Sequence, residues 1–306
     1  QNETEPSLWK QLLDESLEAT EQGSQCFPQV AGRPFGLLIG LQTHHAFAKR
    51  PTFINIAHLP HNELVEQLKQ SSTRTAILNE TDTDPDPKIL FDGMSRMIQS
   101  MLHRLYPMGE IPDYEPDPTQ SFVSIAETRN TTPEAVLYDY MLENDGYAMG
   151  MMPIFNYVDG NHDVIREMLL HPQAVSGLSD GGAHCGMICD ASIPTFMLSH
   201  WTRDRTRGKK LPLEWIIKKQ TNDTASLYGL NDRGTLQTGK RADINVIDYN
   251  ALTLHGPKMA HDLPAGGRRL LQEATGYDYT IVAGTITRQF GQDTGQRPGR
   301  LIRGAR

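Results

Sequence analysis

The chain has 306 residues, with 29 Lys and Arg against 37 Asp and Glu, 38% hydrophobic and 22% charged residues. That is enough for one large or two ordinary domains with a sizeable core, and a formal charge of −8 excludes a general nucleic-acid binder, which needs a clustered basic face. No apolar run approaches the ~20 residues that cross a bilayer. The three cysteines, Cys26, Cys185 and Cys189, show no C-x-x-C spacing, so neither a disulfide framework nor a cysteine zinc site is indicated and a reducing, cytoplasmic setting is expected.

The chain opens without an initiator Met or the basic and apolar regions of a signal peptide, as a chain beginning mid-protein would. Leu8, Leu12, Leu13 and Leu17 predict an amphipathic helix that Gly23 stops. The runs "CFPQVAG" and "FGLLIGL" then read as short buried strands between Pro and Gly punctuation. Two short helical stretches occupy residues 59–80 and give way to "TDTDPDP" at 81–87, a solvated loop. Its alternating aspartates imitate a calcium loop, but Pro87 stands where such a loop needs Gly.

Met94, Met97, Ile98, Met101, Leu102 and Leu105 recur at helical steps, and the methionines are read as core filling. Thr132, Pro133 and Glu134 supply an N-cap, a proline at the first helical position and an acidic first turn, and Gly146 ends that helix. "YAMGMMPIF" is strand-like, "NHDVIREMLLHP" is helical with Asn161 as its cap, and "QAVSGLSDGGAHCG" is a strand running into a glycine turn. Helices are expected at about residues 193–203 and 213–227, and from Asn231 onward the chain is turn-rich and strand-like. A boundary therefore falls near Leu230, with residues 1–230 α/β in character and residues 231–306 a small β domain. "TRDRTRGKK" at 202–210 is a compact basic run that, in an acidic chain, reads as a solvated helix end.

The segment from Ser176 to Gly186 is chemically the most informative, because it puts Asp180 just past a strand, before Gly181 and Gly182. The carboxyl ends of strands carry the active site in barrels and open α/β sheets. An Asp before Gly-Gly is equally an ordinary turn residue, and spacing alone favours the turn.

The strings "HPQAVSGLSDGGAH", "LNDRGTLQTGKRADINVID", "YTIVAGTIT" and "TGQRPGR" together resemble the amidohydrolase superfamily, within it the branch of N-acyl-D-amino-acid deacylases (D-aminoacylases). The resemblance is strongest over residues 119–306. It implies a (β/α)8 barrel of the TIM type flanked by a small β-sandwich, with a divalent metal, zinc above all, at the strand carboxyl ends. Asp180 then matches the family's strand-eight aspartate, which binds metal and takes a proton from the attacking water. The implied substrate is a small-molecule amide with a non-peptide C–N bond. A cyclic-amide hydrolase of the dihydroorotase or hydantoinase kind, and a non-catalytic binding protein that keeps the fold, stand as alternatives.

The chain also departs from the family. None of its eleven histidines forms the His-x-His pair of the first barrel strand; adjacent His44 and His45 cannot both face inward from a regular strand, though a loop could bring them to the site. About two barrel strands precede Asp180, where eight close a barrel. The expectation is thus a carboxyl-terminal part of a longer enzyme, inactive by itself. His184 is a candidate for metal or substrate contact, although a loop histidine is more often a plain surface or hydrogen-bonding residue. Arg33 and Gln29, at the mouth of the early strand, are candidates for a substrate carboxylate, with a structural salt bridge the alternative for Arg33. No basic residue follows Asp180 in "MICDASIP", which departs from the D-amino-acid pattern.

Overall fold

A computed structural model describes residues 1–179 and 186–303. The helix Leu8–Glu21 buries Trp9 and Leu13 one turn apart and stops at Gly23, whose φ of +92° costs a glycine nothing. β1 (Gln29–Ala31) follows, and its neighbour is distant in sequence. It pairs in parallel with the later strand Val175–Gly177, with Gln29 opposite Val175. The helix Asp163–Leu170 precedes that second strand, so the pair forms a βαβ unit with a long excursion inserted.

The excursion begins with β2 (Phe35–Ile39), passes through β3 (Tyr106–Pro107) and returns through β4 (Gly150–Phe155). These make an antiparallel sheet in the order β2-β4-β3. Side chains alternate across it between two separate cores. Leu38 and Met151 join Trp9, Val30, Ile165, Phe196 and Trp201 on one side, while Leu37, Ile39 and Met152 join Phe47, Leu68, Ile98, Phe122 and Leu137 on the other. A sheet buried on both faces requires apolar residues at successive positions. That is the reason for the uninterrupted runs "FGLLIGL" and "YAMGMMPIF".

Within the excursion, the helix Pro133–Met141 is capped as expected, Thr132 Oγ1 accepting from the Ala135 N–H at 3.2 Å. The methionine-rich helix is shorter than its periodicity predicts. It runs Met94–Ser100 and tightens into a 3-10 turn at Leu102–Arg104, which still buries Ile98, Leu102 and Leu105. The helix Asp163–Leu170 begins one residue later than the expected cap allows; Asn161 Oδ1 nonetheless accepts from the Asp163 N–H at 2.9 Å.

After the strand Val175–Gly177, here β5, the helix Ile193–Ser199 widens into a π turn at His200–Asp204. Helical structure resumes at Leu213–Lys218. Residues 231–303 hold strands and one 3-10 turn. Ile244–Ile247, Tyr277–Val282, Thr285–Gln289 and Gln292–Asp293 build a four-stranded antiparallel sheet, and Lys258–Leu263 pairs with Gly267–Leu271. Leu254 and Leu270 pack into the same core as Trp9 and Trp201. The chain is thus α/β, with one parallel strand pair, β1 and β5, among the described residues. Among those residues no helix is long and apolar enough to cross a membrane.

His45 lies in the loop after β2, 4% exposed, with its ring edge-on to Phe53 and its Nδ1 accepting from the Phe47 N–H. Burial, helped by neighbouring His44, pushes its pKa down from 6.5 to about 3, so the folded protein holds it neutral where the unfolded chain protonates it. The stability tied to His45 is complete above pH 6.5 and is lost as the pH falls towards about 3, by up to ~1.4 kcal/mol per pH unit. Denaturant titrations across that window on the wild type and His45→Asn should show a shallower acid slope in the variant.

Candidate functional site

Asp180 and His184, the residues that the sequence ranks first, lie outside the described residues. Gln29 stands exposed on β1 beside Gly177 of β5; a Cβ on that glycine would come within 2.8 Å of the Gln29 Cβ. Arg33 follows β1 and is 1% exposed. Its Nη2 donates to Cys189 O at 2.6 Å and to Asp190 Oδ1 at 3.2 Å, and its Nη1 donates to Ser192 Oγ at 3.0 Å. The guanidinium also lies 3.8 Å from the centre of the Tyr114 ring. The structure therefore gives Arg33 the work of binding segment 189–192 to the end of β1.

Tyr114 leads to a second buried constellation. Its hydroxyl donates to Gln272 Oε1, and Glu115 beside it is 2% exposed. Glu115 Oε1 accepts from the His162 N–H at 2.7 Å and from Arg205 Nη2 at 2.9 Å; Oε2 accepts from Arg205 Nε at 3.1 Å and from His200 Nε2 at 2.9 Å. Four donors fill the four lone-pair directions of a carboxylate. Burial alone pushes the Glu115 carboxyl up, but the bonds from His200 and Arg205 and the proximity of His162 outweigh it and hold the group well below the usual carboxylate range.

His162 is completely buried. Its Nε2–H donates to Tyr114 O at 2.8 Å, which leaves Nδ1 as the bare nitrogen, 3.6 Å from Glu115 Oε2 and without a hydrogen-bond partner. Burial pushes its pKa down to about 3 against the upward pull of Glu115, so the ring is neutral. His200 stacks on Phe196 at 4.5 Å and 14°. Among the described residues, Glu115, His162 and His200 are the set whose ligand atoms all lie within 4.8 Å of one another. Two imidazoles and a carboxylate suit zinc and its neighbours better than calcium or magnesium.

Sequence reasoning misses this cluster, because its three members come from a loop, a helix start and a π turn with no diagnostic spacing. It also misreads the basic run at 202–210. Arg205 is 1% exposed, over the Trp201 ring at 4.8 Å, and Arg207 Nη1 donates to Glu115 O and Pro116 O, both at 2.9 Å. Net charge averages over the chain, whereas these two arginines answer one loop about ninety residues away.

An amidohydrolase family model matches residues 142–288, just under half of the chain. The family resembled by the motifs is the family matched. The match covers the excursion's return strand β4, the helix Asp163–Leu170, β5 and most of the C-terminal strands; β1 lies outside it. No curated protein matches. Solved structures similar to the chain include a D-aminoacylase described for its binuclear metal center (19% identity, TM-score 0.35, covering 77% of this chain and 44% of that one). A second D-aminoacylase, described as defining a novel subset of amidohydrolases, is 20% identical at a TM-score of 0.34, covering 77% of this chain and 44% of that one. An N-acyl-D-glutamate deacylase from Bordetella bronchiseptica, complexed with zinc and a phosphonate inhibitor, is 19% identical at a TM-score of 0.35, covering 67% of this chain and 38% of that one. The chain spans less than half the length of each.

Arg33→Met removes the cation beside the buried Asp190 carboxylate and the tie to Cys189 O. We expect a loss of roughly 3–5 kcal/mol of unfolding free energy, read from urea denaturation, with Arg33→Lys recovering only part because it cannot span all three acceptors.

Proposed function

We propose that the whole protein is a metal-dependent hydrolase of non-peptide C–N bonds, acting on a small N-acylated amino acid in the manner of the deacylase branch. The observation that carries this reading is the amidohydrolase match over residues 142–288, which includes the sequence "LSDGG" directly after β5. In this reading β1 and β5 are two of the eight strands of a (β/α)8 barrel, and residues 231–306 belong to its small β domain.

A bound divalent ion, zinc in this reading, supplies Lewis acidity at the amide carbonyl and acidifies water. Asp180 offers a carboxylate oxygen to that ion and takes the proton from the attacking water, then delivers it to the departing nitrogen. His184 and Gln29 stand in this reading as candidates for contact with the substrate, although Gln29 opens β1, opposite the first residue of β5. Arg33 acts at one remove, holding Asp190 and Ser192 and so the segment that follows Asp180 in the chain. Its side chain is too deeply buried to meet a substrate carboxylate without breaking those bonds.

Asp180→Asn should cost at least ~10²-fold in kcat, the usual worth of a positioned acid–base group, on N-acetyl-D-amino acids, with KM changed little. Wild-type turnover of these compounds should exceed that of their L forms and of cyclic imides. Full activity of the variant overturns the role of Asp180, and a preference for cyclic imides replaces the deacylase reading with the cyclic-amide one.

A further inference from the structure

Hydrogen bonding leaves one buried group in the Glu115 cluster unexplained. With Nε2–H committed to Tyr114 O, the buried His162 Nδ1 lies 3.6 Å from Glu115 Oε2 without a hydrogen-bond donor. Both atoms are acceptors. Two electron-rich acceptor atoms side by side in a low-dielectric interior repel, and a buried acceptor without a donor, as Nδ1 is, is costly. A positive centre between them removes both penalties. His200 Nε2 reaches the same carboxylate oxygen at 2.9 Å.

The geometry points to a zinc site, distinct from the ligand set of the proposed reaction, formed by Glu115 Oε2, His162 Nδ1 and His200 Nε2. The tautomer of His162 suits this role, since zinc-bound imidazoles commonly donate their second N–H to a backbone carbonyl, as His162 does to Tyr114. Binding requires only that the His200 proton move from Nε2 to Nδ1, which frees the lone pair of Nε2 and that of Glu115 Oε2. Atoms sharing a tetrahedral zinc stand about 3.3–3.5 Å apart, so a set already within 4.8 Å closes by small side-chain rotations.

Charge permits it. Arg205 is shared between Glu115 and Asp163, the latter at 2.9 Å, so with both histidines neutral the group carries one net negative charge before the ion enters. Arg205 stays in place through Asp163 and the Trp201 ring. The ligands come from residues far apart in sequence and are 2%, 0% and 15% exposed, which makes the ion a structural clasp with one position left for water on the His200 side.

The test uses the full chain, stripped with a chelator, in wild-type form and as Asp180→Asn, His162→Asn and His200→Gln. Added zinc should raise the melting temperature of the wild type and of Asp180→Asn, and leave both histidine variants unchanged. X-ray absorption at the zinc edge of Asp180→Asn should show two imidazole nitrogens, a readout that survives if the histidine variants fail to fold. No thermal response in Asp180→Asn, or a zinc shell without imidazole, overturns the proposal and leaves a proton or a water as the partner of His162 Nδ1. Neither result bears on the hydrolase reading, which rests on loss of turnover in Asp180→Asn.

Discussion

A carboxylate removed from water is tolerated only where donors replace its hydration, and at Glu115 this requirement organises the molecule. The four donors come from the start of the helix Asp163–Leu170, from the π turn after the helix Ile193–Ser199, and from Arg205 beyond it. The loop that carries Glu115 also carries Tyr114, on which Arg33 stacks and to which Gln272 binds from the C-terminal strands. Two adjacent residues thereby join the end of β1, the crossover helix, the π turn and the β-rich region. Apolar contact between these elements is non-directional; the polar hub adds direction.

The second organising element is the sheet β2-β4-β3, apolar on both faces. It separates the core around Trp201 from the core around Phe122, so the excursion between β1 and the crossover helix is a packed body of its own. A βαβ unit needs its helix close to its two strands, yet a long insertion costs little where its ends are near each other, because loop-closure entropy grows only slowly with length. The excursion leaves at Phe35 and returns at Phe155, residues paired across the same sheet with stacked rings. The unit can thus close around it.

Local patterns were legible where the physics is local. The stop at Gly23, the Thr132 cap, the apolar steps from Ile98 to Leu105 and the continuous apolar runs of β2 and β4 all express constraints satisfied within a few residues or by a burial class common to the segment. The amidohydrolase resemblance was legible too, since its motifs are contiguous. The pairing of β1 with β5 was not, because the chain between them is longer than any crossover that strand periodicity suggests. Arg205 read as a solvated cation for a similar reason: nothing near it in the sequence announces Glu115.

By itself, then, the sequence determined the α/β class, the positions of most helices and strands, the resemblance to amidohydrolases, and Asp180 as the carboxylate to test. Tertiary structure alone decided that Arg33 is spent on Asp190 and Ser192, that one sheet serves two cores, and that Glu115, His162 and His200 meet. Periodicity and capping are properties of neighbours along the chain. Hydrogen-bond satisfaction of a buried charge is a property of neighbours in space, and only the fold brings those donors together.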